Sequence, residues 1–117
     1  MAQYMLLLNH EPDRYDGIPH DEMMNIIKDY VAWVEQQVAA GIYLGGEKLS
    51  LDAGKTLSSA NGTVEVHDSP FAELPEVLGG YMVIEAEDYD AAVEIARQHP
   101  HLVHNTNLHI RRLEKVD

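Results

Sequence analysis

Two segments of the chain are apolar at every consecutive position, and this pattern most narrows the folds that the chain can adopt. The segments are "YMLLL" within residues 2–10 and "YMVI" within residues 78–87. A strand with one solvated face alternates apolar with polar residues, whereas a strand covered on both faces is apolar throughout. We therefore expect both segments to be central strands that lie between two layers.

The remaining segments predict two helices and further strands. Apolar residues recur at helical spacing from Pro19 to Ala40, before Gly41, and again in "DYDAAVEIARQHP" (88–100). "IYLGG" (42–46) and "NLHIRRLEKV" (107–116) have the character of strands. "KTLSSANGTVEVH" (55–67) contains an Asn-Gly pair, which favours the type I′ turn of a β-hairpin.

The resulting order is β-α-β, an inserted β-hairpin, then β-α-β, without an internal repeat or linker. It predicts one α+β domain over residues 1–117, a ferredoxin-like split βαβ sandwich in which both helices cover one face of an antiparallel sheet. The other sheet face then also needs cover. The same face of a second copy of the chain can bury it, so we expect a homodimer through the sheet face.

Charge and composition exclude several classes of function. A net charge of −12 with only eight Lys and Arg residues disfavours nucleic-acid binding. The N-terminal apolar run is too short for a signal sequence or a membrane span, so we expect a cytoplasmic protein with no membrane association. The absence of cysteine excludes thiolate metal sites and a cysteine nucleophile.

The segment "HPHLVHNTNLHI" (99–110) carries four of the seven histidines. Three interpretations are open: a solvated loop, an acid/base histidine that lines a pocket, or a metal site that would also need Asp68 or Glu73. No HxH strand or HExxH helix supports a metal, and no histidine is isolated in an apolar setting as a haem ligand would be. We therefore expect neither a metal nor a cofactor, and we take His99 and His101 as candidate site residues.

His109 and Arg111 form a second candidate pair. By strand alternation both point away from Leu108 and Ile110, towards the sheet face opposite the helices. An imidazole beside a guanidinium could bind an anionic ligand there. Alternatively, Arg111 could pair with an acidic side chain across the dimer, and the sequence leaves both interpretations open.

The segment "HDSPFAELPEVLGGY" (67–81) gives a third set of candidates. Asp68 lies in a tight turn, Phe71 is the only phenylalanine, and Glu73 follows it. These residues could form a pocket wall, or Phe71 could simply pin a loop to the core. The double glycine Gly79-Gly80 allows close approach of the backbone as the next strand begins.

"DSPFAE", followed by "LGGYMVIEAEDYDAAVEIARQHP", resembles the DGPF-type branch of the YCII-related family, with Ser69 in place of the usual glycine. "YMLLL", "AAGIYLGGEKL" and "LHIRRL" extend the resemblance over essentially the whole chain. It implies a dimeric α+β barrel with a cleft for a small molecule. The wider superfamily has an Asp after the first strand and a His in the first helix as its suspected catalytic pair, and their nearest equivalents here are Glu11 and Tyr30.

Two functions therefore compete. The first is an enzyme or binder of a small anionic or oxygenated compound, with Tyr30, His99 and His109 as catalytic candidates. Its candidate ligand contacts are Glu11, Asp68, Phe71, Glu73, His101 and Arg111. The second is an interaction module for a basic transcription regulator, because some family members resemble proteins encoded beside extracytoplasmic-function sigma factors.

Overall fold

The computed structural model describes residues 1–116, and its main elements follow the predicted order. The strands are β1 (Ala2–His10), β2 (Tyr43–Lys48), β3 (Lys55–Ala60), β4 (Thr63–Asp68), β5 (Val77–Ala86) and β6 (His109–Arg112). The helices are α1 (His20–Ala39), α2 (Tyr89–Ala96) and α3 (His101–His104), and a 3₁₀ turn spans Phe71–Glu73.

The main sheet has the strand order β2-β5-β1-β6, and all neighbouring strands are antiparallel. This is the order of a ferredoxin-like sandwich, so the α+β prediction is confirmed. The two segments that are apolar throughout form β1 and β5, the two central strands. Their central position is what the sequence pattern predicted.

The core lies on one face of this sheet. Alternate residues of β1 and β5 point into it, and Trp33 of α1 packs against them from the helix layer. The buried members from the strands and from α2 are Tyr4, Leu6, Leu8, Met82, Ile84, Ala86, Ala92 and Ala96. The intervening residues of the same strands, such as Leu7 and Val83, are half-exposed on the opposite face.

The segment that follows α2 differs from the prediction. In the loop interpretation, His99 and His101 lie on either side of Pro100 without regular structure, but Pro100 instead precedes the short helix α3, with φ of −61°. Proline is well suited to the start of a helix because its φ is already helical and its missing N–H has no intrahelical partner there. The last strand is also shorter than predicted, since β6 covers only His109–Arg112.

The predicted hairpin is confirmed by positive φ angles at Asn61 (52°) and Gly62 (79°). Its strands β3 and β4 form a separate two-stranded sheet, called here the β3–β4 arm (residues 55–68). Every residue of the two strands is exposed, so the arm projects from the body of the domain. Within residues 1–116, no helix is both long enough and apolar enough to cross a membrane.

Candidate functional site

A cavity of about 260 Å³ lies between α1 and the end of the sheet where β1 terminates. Most of its wall is apolar, from Leu8, Met23, Ile26, Ile27, Val31 and Leu51. Its polar groups come from His10, Tyr15, Tyr30, Tyr43, Glu47, Lys48 and His101. A few polar groups on an apolar wall are typical of a small-molecule site.

Tyr30 and His101 form the closest polar pair on this wall. The Tyr30 hydroxyl lies 2.7 Å from His101 Nδ1, and His101 Nε2 lies 2.6 Å from the carbonyl oxygen of Asn9. Because a carbonyl oxygen can only accept, Nε2 carries the proton and donates it to Asn9. In the neutral ring Nδ1 is then an acceptor, and the Tyr30 hydroxyl donates to it.

The surroundings set the protonation of this pair. Burial lowers the pKa of the His101 imidazole below its ordinary value, although the hydrogen bond to the Asn9 carbonyl opposes that shift. Burial, and then the neighbouring Tyr15, raise the pKa of the Tyr30 hydroxyl above its ordinary value. Both groups are therefore neutral near pH 7, and the proton between them stays on the Tyr30 oxygen.

Asn105 orients the tyrosine side of the pair. Its Nδ2 amide donates to the Tyr15 hydroxyl at 2.8 Å and lies 3.4 Å from the Tyr30 hydroxyl oxygen. The His104 ring stacks on Tyr30, with ring centroids 6.0 Å apart, and its Nε2 lies 2.8 Å from Asp29. Contacts on several sides thus hold the Tyr30 ring in one orientation.

His99, a predicted catalytic residue, is buried behind the pair and does not line the cavity. Its Nδ1 accepts the backbone N–H of His101 at 2.9 Å, so the neutral ring carries its proton on Nε2, 3.3 Å from Met82 Sδ. The Trp33 ring packs 4.3 Å from it. Burial, together with the neighbouring His101, lowers the pKa of His99 to about 3. His99 is therefore a neutral support for His101.

His10 is a cavity residue that the sequence analysis did not select. It ends β1, is only 6% exposed, and its Nδ1 donates to the Glu11 carbonyl oxygen at 2.6 Å. Its ring lies over Gly79, whose missing Cβ would come within 2.8 Å of His10 Nε2. The signal was present in the sequence, because a histidine ends the strand that carries the apolar run "YMLLL".

The remaining predicted site residues lie elsewhere. Asp68 is exposed on the β3–β4 arm, where it pairs with Lys55, and Phe71 and Glu73 lie in the 3₁₀ turn. Glu11 is exposed, with its carbonyl group bound by His10. Among the residues that the structure describes, none of these four lines the cavity.

His109 and Arg111 lie on the opposite face of the sheet. They pair with Leu7 and Met5 of β1, so they share the face that points away from the helices, as strand alternation predicted. This placement separates them from Tyr30 and His101 by the thickness of the sheet. In the described part of the chain, no group of three or more His, Asp or Glu side chains is arranged to hold a metal ion.

Fold and cavity together define a ferredoxin-like α+β protein with a small-molecule-sized cavity between its first helix and its sheet. The model of the YCII-related domain matches residues 2–113, so the chain belongs to the YCII-related family. A comparison with curated protein sequences gives no match.

One solved structure with a similar fold is 5-chloro-2-hydroxyhydroquinone dehydrochlorinase (TftG) from Burkholderia phenoliruptrix AC1100, in complex with 2,5-dihydroxybenzoquinone. The two chains are 16% identical, with a TM-score of 0.51, and the match covers 97% of this chain and 94% of that one. At this identity the similarity establishes the fold.

Proposed function

We propose that this protein is an enzyme or a binding protein for a small oxygenated compound, and that Tyr30 and His101 are its acid/base pair. The observation that carries the proposal is the 2.7 Å hydrogen bond between these two side chains on the wall of an apolar cavity. Positioned acid/base groups of this kind typically contribute about 10²–10⁴-fold to a rate.

The pair can move one proton without a charged resting state. A substrate O–H that donates to the Tyr30 oxygen passes its proton to Tyr30, while Tyr30 passes its own proton to His101 Nδ1. The substrate oxygen becomes anionic, and His101 holds one N–H towards Tyr30 and one towards the Asn9 carbonyl. Because burial lowers the pKa of His101, the imidazolium returns its proton readily.

The size of the cavity supports a ligand with one ring. A dry protein cavity of about 150 Å³ accommodates benzene. The 260 Å³ available here is enough for a ring with small substituents. The dihydroxybenzoquinone in the structurally similar dehydrochlorinase is such a compound, with one ring and small oxygen substituents.

Binding of four probes tests the proposal. Hydroquinone, 4-methoxyphenol, 1,4-dimethoxybenzene and benzoate are each titrated into the labelled protein, and amide chemical shifts are followed by NMR. We expect at least one probe to shift the amides around the cavity saturably, and Tyr30→Phe and His101→Asn to weaken that binding about tenfold or more. His109→Asn, on the opposite sheet face, is the control and should bind like the wild type. If no probe perturbs the cavity, the proposed function is wrong.

The proposal includes a homodimer through the open sheet face, the dimeric barrel of the DGPF-type branch. Met5, Leu7, Tyr81 and Val83 are half-exposed on that face, which no helix of the described chain covers. Arg111 on the same face is then available to an acidic group of the second copy. The interaction-module function stays a separate prediction, and salt-sensitive co-purification with a basic regulator would be its test.

A further inference from the structure

Two polar groups on the cavity wall, Tyr30 and His10, present acceptors to a ligand. The hydrogen of the Tyr30 hydroxyl is committed to His101 Nδ1. The Tyr30 oxygen accepts one long hydrogen bond, from Asn105 Nδ2 at 3.4 Å, and its second lone pair is left for a ligand. The Nδ1 hydrogen of His10 is committed to the Glu11 carbonyl, so in the neutral ring Nε2 has a lone pair and no hydrogen. Within residues 1–116, His10 Nε2 makes no hydrogen bond that would occupy this lone pair.

The groups that could donate hydrogen bonds to an anionic ligand are already engaged or lie at the edge of this cavity. Both nitrogens of His101 are already hydrogen-bonded to Tyr30 and Asn9. Lys48 is at the exposed edge, where its ammonium group bonds the Leu49 carbonyl at 3.4 Å. The hydroxyls of Tyr15 and Tyr43 can donate or accept, and therefore do not discriminate.

We infer that the ligand of this cavity is a neutral compound with one ring and two hydroxyl groups, which donate to the Tyr30 oxygen and to His10 Nε2. The inference rests on the proposed function and narrows its ligand class, since it favours a hydroxylated ring over a carboxylate. A site built to accept from hydroxyls rejects analogues that lack them, because its buried acceptors are then left unpaired.

A feature of the sheet explains how His10 is presented. The pairing of β1 with β5 shifts register between Leu8 and Asn9, and Gly79 is the unpaired extra residue of this β-bulge. Because Gly79 has no side chain, the His10 ring can lie directly over it. The bulge and the glycine together place Nε2 at the cavity, so Gly79 is a positioning residue for His10.

The same four probes test this inference by their ranking. Hydroquinone offers two hydroxyl donors, 4-methoxyphenol one and 1,4-dimethoxybenzene none. We expect the dissociation constant to rise about tenfold with each donor removed, as for the loss of one hydrogen bond to a buried acceptor. His10→Phe keeps a ring of similar size but removes one acceptor, so one of the two tenfold increases in the dissociation constant should disappear. The control His67→Phe, on the exposed β3–β4 arm, should retain both increases.

A second readout does not depend on the variants being folded. In the wild-type protein, the ¹⁵N shift of His10 Nε2 should change when hydroquinone binds and stay constant when 1,4-dimethoxybenzene binds, because only the former donates to it.

The outcomes separate this inference from the proposed function. Equal affinities for hydroquinone, 4-methoxyphenol and 1,4-dimethoxybenzene, with the cavity amides still perturbed, would overturn donor recognition and leave the small-molecule site intact. Tighter binding of benzoate than of hydroquinone would overturn it in favour of an anion. If none of the probes binds, both the proposed small-molecule function and the recognition of hydroxyl donors are wrong.

Discussion

At the residue scale, His99 and His101 show how two similar neighbours acquire different roles. Both are almost fully buried, but His101 has one nitrogen against Tyr30 at the cavity, whereas His99 has its nitrogens against a backbone amide and a thioether. The hydrogen bond from the His101 amide to His99 joins the two residues. His99 therefore contributes through the position of His101.

The lowered pKa of His99 predicts a pH-dependent stability. In the folded protein its pKa is about 3, against an ordinary value of 6.5, so the unfolded chain binds a proton that the folded chain does not. The contribution of His99 to the free energy of unfolding is complete above the ordinary pKa and is lost as the pH falls from there towards the folded pKa. For one such group, the loss between pH 7.5 and pH 5 is about 2 kcal/mol.

Urea unfolding of the wild type and of His99→Asn at these two pH values measures this contribution. The variant should lose less stability on acidification than the wild type, because its side chain does not titrate. His20→Asn, at the exposed start of α1, is the matched control and should follow the wild type. Parallel pH dependences of His99→Asn and the wild type would contradict the assignment.

At the scale of elements, the β-bulge between β1 and β5 connects the sheet to the site. A Cβ at position 79 would overlap the His10 ring and lie 3.2 Å from the Leu8 carbonyl oxygen. We expect Gly79→Ala to lower the free energy of unfolding by about 1–3 kcal/mol, as for overpacking elsewhere.

A double-mutant cycle identifies the cause of that loss. If the His10 ring is the obstacle, Gly79→Ala should cost less when His10→Ala has already removed the ring, with a coupling of about 0.5 kcal/mol or more in urea unfolding. Strictly additive losses would mean that the added methyl group meets the backbone alone, and that Gly79 does not make room for His10.

The turn of the β3–β4 arm could be predicted from the sequence, but the exposure of its apolar side chains could not. The Asn61-Gly62 pair predicts the turn because these residues tolerate positive φ, and this preference is local. Leu57, Val64 and Val66 of the arm are nevertheless 60–63% exposed, and alternation alone could not show that their side chains remain exposed.

At the scale of the whole molecule, the described chain is a slab of 47 × 46 × 19 Å with a radius of gyration of 16.4 Å. A compact chain of this length has a radius of gyration of roughly 13 Å. The projecting β3–β4 arm and the flat open sheet face account for the difference. The open sheet face, with the half-exposed Met5, Leu7, Tyr81 and Val83 on one side of a thin molecule, is the feature that supports the proposed dimer.

Leu7→Glu tests that dimer. A carboxylate in the centre of the open face would be buried and unpaired in the interface, at a cost of about 3–5 kcal/mol, so the dissociation constant should rise at least a hundredfold. Sedimentation velocity over a concentration series measures it. Val103→Glu places the same charge at an apolar residue of α3 that is 80% exposed, and it should leave the association unchanged. A wild-type protein that is monomeric throughout the series would contradict the proposed homodimer.

The sequence by itself determined the six strands, the two longer helices and their order, because strand alternation, helical spacing and turn residues depend on near neighbours in the chain. It also placed His109 and Arg111 on the correct sheet face, since alternation carries that information. It did not predict the short helix α3. Only the tertiary structure decided the site, because its members meet through contacts between distant segments: Tyr30 and His101 are 71 positions apart, and His10 reaches Gly79 through the register of β1 and β5. Pairing and packing of this kind depend on the whole chain, so no local pattern could have assembled the cavity.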